Sequence, residues 1–222
     1  MTLRPLTDVS PADWFASNAL LPLGPPGFGA YARVLHSWLE GPGGESDERA
    51  DGHLSDRQLR VLGEVLARHT TTPTDCFFAL WDGYGDIYGG ESAAFLTAFS
   101  GPSLWPGRIF TKPKPPDPPP PAFPASVIDG PRLSLSSRDY LLFGGSLGDA
   151  GAWGATGYGH GIPRDLNSPN LFWPADHAWF VSTDIEGSWT GLAGPVDLIE
   201  DLLLDERLEV VRARYDDPKG QR

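Results

Sequence analysis

The clearest hydrophobic pattern lies between Asn170 and Leu204, NLFWPADHAWFVSTDIEGSWTGLAGPVDLIEDLLL. From Trp179 to Ile185 the side chains alternate. Trp179, Val181, Thr183 and Ile185 fall on one face, and Phe180, Ser182 and Asp184 on the other. A period of two is that of a strand, and it sets the first face against a core. Glu186-Gly187 supplies a short turn, because glycine takes positive φ without steric cost. Ser188 to Leu192 then returns antiparallel. After Gly194-Pro195 the pattern becomes helical, with Val196, Ile199, Leu202 and Leu203 on one face and Asp197, Glu200 and Asp201 mostly off it. Leu208 to Val211 reads as a final strand and the tail beyond it as frayed.

Upstream, Tyr31 to His36 (YARVLH) predicts a strand. Cys76 to Trp81 (CFFALW) is a continuous apolar run, the mark of a strand buried on both faces. Arg132 to Leu135 and Tyr140 to Phe143 predict two more strands, or one long kinked strand. The best-signalled helix runs over Ser55 to His69. Ser55 caps it, Gln58 completes a capping box, Leu54 and Leu59 form a hydrophobic staple, and Thr70-Thr71-Thr72-Pro73 ends it. Ser10 to Asp13 starts a short helix and Glu91 to Phe99 predicts another. Glu40 to Gly52 reads as a charged surface loop. Lys112 to Pro124, KPKPPDPPPPAFP, reads as a stiff, exposed polyproline insertion, and Gly144 to Asn170 as a glycine-rich, mobile loop. These elements predict one α+β domain over residues 1–222. Its sheet is mixed but mostly antiparallel, and the helices at Ser55–His69 and Pro195–Leu204 cover one face.

The segments SPNLFWPADHAWFVSTDIEGSWTG, YARVLH, CFFALWDGYG and YLLFGG together resemble a group of proteins from high-GC actinobacteria. Their C-terminal halves carry a similar SPNLWWP-D-AW-V-T-EID pattern. The likeness is strongest from Ser168 to Leu204 and absent from the proline run. The chain departs from the pattern at Ser182-Thr183-Asp184. The group has no assigned activity, so the resemblance implies none here.

Composition narrows the partners. The formal net charge is −12, and the 17 basic residues form no stripe. Nucleic acids need phosphate neutralisation and anionic membrane surfaces attract polybasic segments, so neither is an expected partner. A small molecule or a protein is. One cysteine excludes an internal disulfide and a cysteine-rich zinc site. With 222 residues the chain can bury a core that needs no staple. The first residues carry no apolar h-region and no run is long enough to span a bilayer, which makes the cytoplasm the expected location.

Candidate chemistry is sparse. The loop after Gly144 has neither GxGxxG opening a helix nor GxxxxGK[ST], so it predicts no nucleotide site and no cofactor. Ser146 in GGSLG falls one residue short of a nucleophile elbow. Cys76, among Phe77, Phe78 and Leu80, reads as an inert core thiol, and His36 as a half-buried strand-end histidine. There is no HxH or HxxxH, although His160, His177 and Asp184 could converge on a metal only through the fold; no metal is expected. What remains is aromatic. Trp81, Tyr84, Trp173, Trp179 and Trp189 could line a cleft rimmed by Asp82, Asp176, His177 and Asp184, suited to a sugar or a cationic ligand. The expectation is therefore a non-catalytic ligand- or protein-binding module. The alternative is a small hydrolase with His177 as general base and Asp176 or Asp184 orienting it.

Overall fold

The computed structural model describes residues 2–16, 22–41, 44–89, 118–136, 138–159 and 161–216. The strands are β1 (Arg4–Pro5), β2 (Ala30–Leu35), β3 (Trp38–Gly41), β4 (Gly44–Arg49), β5 (Cys76–Trp81), β6 (Leu133–Leu135), β7 (Arg138–Gly145), β8 (Leu171–Pro174), β9 (Phe180–Thr183), β10 (Trp189–Gly194) and β11 (Val210–Ala213). The helices are α1 (Asp13–Ala16), α2 (Asp56–Leu66), α3 (Gly85–Tyr88), α4 (Ala125–Ile128) and α5 (Val196–Leu204).

One sheet organises the chain. Its order is β1-β7-β5-β8-β9-β10-β2-β11, with β6 also beside β7. Every pairing among the described residues is antiparallel. The fold is thus α+β, as the pattern predicts. The run CFFALW becomes β5, held between β7 and β8. Its continuous hydrophobicity follows, because both faces of this sheet are covered and a strand in the middle meets apolar surface on each side.

The period of two sorts the side chains into two cores. Phe78, Leu80, Leu141, Phe143, Phe172, Val181 and Leu192 face the layer that contains α2 and α5. Ala79, Tyr140, Leu142, Leu171, Trp173, Phe180 and Ala193 face the other layer. Helix α2 forms as its signals predict, with Ser55 and Gln58 closing the capping box. It buries Leu59, Val61, Leu62, Val65 and Leu66, each contributing about 1.5–3 kcal/mol of transfer free energy. The second face is closed by the N-terminal segment. Phe15 on α1 and Leu23 reach zero exposure there. The chain at Pro22 and Leu23 lies so close over β10 that a Cβ at Gly191 would come within 2.2 Å of the Pro22 carbonyl oxygen.

Several expected loops are more ordered than their composition suggests. The stretch from Glu40 to Gly52, read as a surface loop, contains most of a two-stranded antiparallel hairpin, β3–β4. The proline-rich insertion is not wholly exposed. Ala122 and Phe123 enter the first core, and the Phe123 ring lies 5.3 Å from that of Phe143. Burying an aromatic ring outweighs the tendency of a proline rod to stay solvated. The glycine-rich stretch is stitched down at several points. The Trp153 indole is buried and donates to the Asn167 carbonyl (2.9 Å), the Thr156 N–H donates to Ala122 (2.7 Å), and the Arg164 guanidinium donates to the Asp86 carbonyl (2.9 Å). The helix expected at Glu91–Phe99, residues 112–117 of the insertion and His160 lie outside the described residues. Among the described residues no helix is long and apolar enough to cross a membrane.

Candidate functional site

The residues that the sequence singles out do not converge on one place. His177 closes the turn that follows β8, its N–H donating to the Pro174 carbonyl (2.9 Å). Its φ of 56° lies in the left-handed region. Its ring stacks on Trp14 with centroids 4.4 Å apart while the residue stays exposed, and partial desolvation pushes the imidazole below its ordinary pKa, against the pull of Asp176. Asp176 is already engaged. Its carboxylate accepts the Thr71 N–H (2.7 Å) and the hydroxyls of Thr70 and Thr71 (both 2.8 Å), and it also takes the Ala178 N–H (3.1 Å). Partial burial works against its ionisation, but these donors outweigh that effect and hold the carboxyl below the usual range. The role is structural: Asp176 ties the exit of α2 to the turn after β8.

Asp184 lies beyond the far end of β9 from His177. The four residues of that strand put roughly 13 Å of rise between them, far outside hydrogen-bond reach. Asp184 pairs instead with Arg138 (3.2 Å). The expected partnership of His177 with Asp184 is therefore not assembled.

The expected aromatic cleft is not formed either. Trp173 and Trp179 are both fully buried, and in opposite layers. Trp173 stacks on Phe180 (5.8 Å), while the Trp179 indole donates to the Leu66 carbonyl (3.1 Å) at the end of α2. Trp189 is half-buried beneath the Arg33 guanidinium, 4.6 Å from its ring centroid. Covered sheet faces absorb large rings because each ring buries more apolar area there than at a rim.

Two predicted residues do meet: Trp81 packs edge-on against Tyr84 (5.1 Å), and the turn after β5 that joins them also carries Asp82. The buried Asn170 joins them, its side chain accepting the Trp81 N–H (2.8 Å) and donating to the Tyr84 hydroxyl (3.0 Å). Asp82 accepts the Arg132 Nε–H (2.9 Å) and the Tyr88 hydroxyl, while the rest of the Arg132 guanidinium caps α4 through the carbonyls of Ile128 and Gly130. Tyr140 lies opposite Trp81 in the sheet; burial pushes its phenol up, and the nearby Arg138 opposes that. This end of the sheet is a network whose polar groups hold one another in place.

Other candidates resolve similarly. Cys76 is fully buried, and burial first, then the charges of Asp75 and Asp176, pushes its thiol up to about 12. It is not a nucleophile at neutral pH. His36 is fully buried, with Nδ1 donating to the Ala50 carbonyl (2.8 Å) and Nε2 bonded to the Thr190 hydroxyl (2.9 Å). Among the described residues no group of His, Cys, Asp and Glu is arranged to hold a metal.

A site that the pattern did not single out lies along α2. The turn at Leu147–Asp149 folds back against this helix, fixed by the Leu147 N–H donating to the Pro73 carbonyl (2.8 Å). Between them opens a groove of about 440 Å³. Leu59, Ala67, Leu147 and Ala150 give it apolar surface, and Thr74 and Ser146 bring hydroxyls to its lining. Asp56, Arg60 and Glu64 add charge at successive turns of α2. Glu64 pairs with Arg207 (2.6 Å), which Asp205 also engages (2.7 Å), whereas Asp56 and Arg60 have no hydrogen-bond or ion-pair partner among the described residues. Gly63 completes the helical wall. A Cβ there would meet Leu147 at 3.9 Å, an ordinary contact. The volume lies within the range of small-molecule pockets, roughly 300–1,000 Å³.

Comparison with family models, with curated proteins and with solved structures finds no match for this chain.

Proposed function

We propose that this protein is a non-catalytic binding module that takes a small-molecule ligand in the groove between α2 and the turn at Leu147–Asp149. One observation carries the reading: the groove combines apolar surface with a cation and an anion, Arg60 and Asp56, that have no partner among the described residues. Apolar surface with a few convergent polar groups is the usual make-up of a ligand site. The carboxylates that a hydrolase would use with His177 are engaged elsewhere, Asp176 by threonines and Asp184 by Arg138. The net charge of −12 favours small molecules over anionic polymers. The single unpaired thiol suits work in the reducing cytoplasm.

A thermal-shift screen of the protein and its Gly63→Leu variant tests this. A ligand that binds only the folded state adds about 2.7 kcal/mol of stability at a hundredfold excess over its dissociation constant. The expected result is a compound class that raises the melting temperature of the wild type and not of Gly63→Leu, whose side chain fills the groove. Equal shifts in both proteins would refute the site.

A further inference from the structure

We infer that the groove along α2 selects a zwitterion with an apolar body, of which a free α-amino acid with an aliphatic or aromatic side chain is the simplest member. The inference rests on the groove being the binding site, as proposed above.

Asp56 and Arg60 stand one helical turn apart on α2, so both side chains reach the same mouth of the groove. Neither has a partner among the described residues, whereas the next charge along the helix, Glu64, is paired with Arg207. What the groove presents beside its apolar surface is one positive and one negative group without a partner among the described residues. A purely anionic ligand that paired with Arg60 would bring its charge against Asp56, and a purely cationic one would meet the reverse conflict. A zwitterion satisfies both groups. The planar guanidinium of Arg60 can grip a carboxylate through two N–H donors, and Asp56 can accept an ammonium. Leu59 and Leu147 then meet the ligand's apolar body.

Gly63 points the same way. Glycine inside a helix is less favourable than alanine, and here the space for a methyl group exists. The glycine leaves the helical wall bare where the ligand's body would lie. The conflict between stability and binding at one position is what a ligand groove predicts.

Isothermal titration of the full chain with L-leucine and L-phenylalanine, and with their N-acetyl and methyl-ester derivatives, tests the inference. A free amino acid is expected to bind. Blocking either charged end should weaken binding by roughly tenfold or more, the worth of one charge-assisted hydrogen bond. Arg60→Met and Asp56→Asn, both on the exposed flank of α2, should each weaken the free amino acid and erase the penalty for blocking the end they serve. Gly63→Ala should melt higher than the wild type, and Gly63→Leu should abolish binding. Derivatives that bind as tightly as the free amino acids would overturn the zwitterion and leave the groove standing. Failure of both free amino acids to bind the wild type would also overturn it. Full binding by a folded Gly63→Leu would overturn the groove itself.

Discussion

At the scale of single residues, two positions make sharp claims. Gly191 owes its identity to a neighbour far away in sequence. Its missing Cβ is the space into which the Pro22 carbonyl and the Leu23 backbone fit. Gly191→Ala forces that segment off β10, and overpacking of this kind costs typically about 1–3 kcal/mol. Urea unfolding should show the loss as a lower midpoint at an unchanged slope. His177 makes a claim about pH. Its folded pKa is depressed, chiefly by partial desolvation on a ring that stacks against Trp14. The unfolded chain therefore takes up its proton first as pH falls. Above the unfolded value of about 6.5 this residue contributes no pH dependence, and below it stability declines until the folded imidazole also protonates. His177→Asn keeps a residue that tolerates the left-handed backbone and removes the titration. The difference in melting temperature between the two proteins should narrow as pH falls from 7 to 5; a constant difference would contradict the stacking account.

At the scale of elements, the chain is most legible where local chemistry and tertiary packing agree. Cys76–Trp81 and the capping box at Ser55 are read from sequence and found as read. Ser55→Ala removes the side chain that accepts the Gln58 N–H (3.3 Å), and an N-cap loss of this kind costs about 1 kcal/mol, visible as a lowered unfolding midpoint. Legibility fails where tertiary contacts override composition. The β3–β4 hairpin lies in a charged, glycine-rich stretch with no alternation of apolar residues to announce it. The proline run reads as solvated throughout, yet Phe123 anchors its end in the core. The glycine-rich segment reads as loose, yet Trp153 and Arg164 pin it from within. One aromatic or guanidinium group can order a stretch that its other residues would leave free.

At the scale of the whole molecule, the double-faced sheet explains both what was legible and what was not. Its class and the strands in its middle follow from apolar runs. Its order does not, because β2 pairs with β10 and β11, and β1 with β7, across long separations that no local pattern encodes. The same architecture undoes the expected aromatic cleft. With both faces covered, Trp173 and Trp179 fill opposite cores instead of sharing a surface. It also conceals the groove from sequence. One wall is the polar flank of α2, which reads as an ordinary solvated face, and the other is GGSLGDA, which reads as loop. Only the fold sets them against each other.

Backbone amide chemical shifts report ligand contact in the groove residue by residue. The isotope-labelled protein is titrated with whichever screened compound raises its melting temperature most. Perturbations concentrated at Leu59–Ala67 and Ser146–Ala150 are the predicted result. Perturbations centred on Trp14 and His177, or on Trp81, Tyr84 and Asn170, with α2 silent, would contradict it.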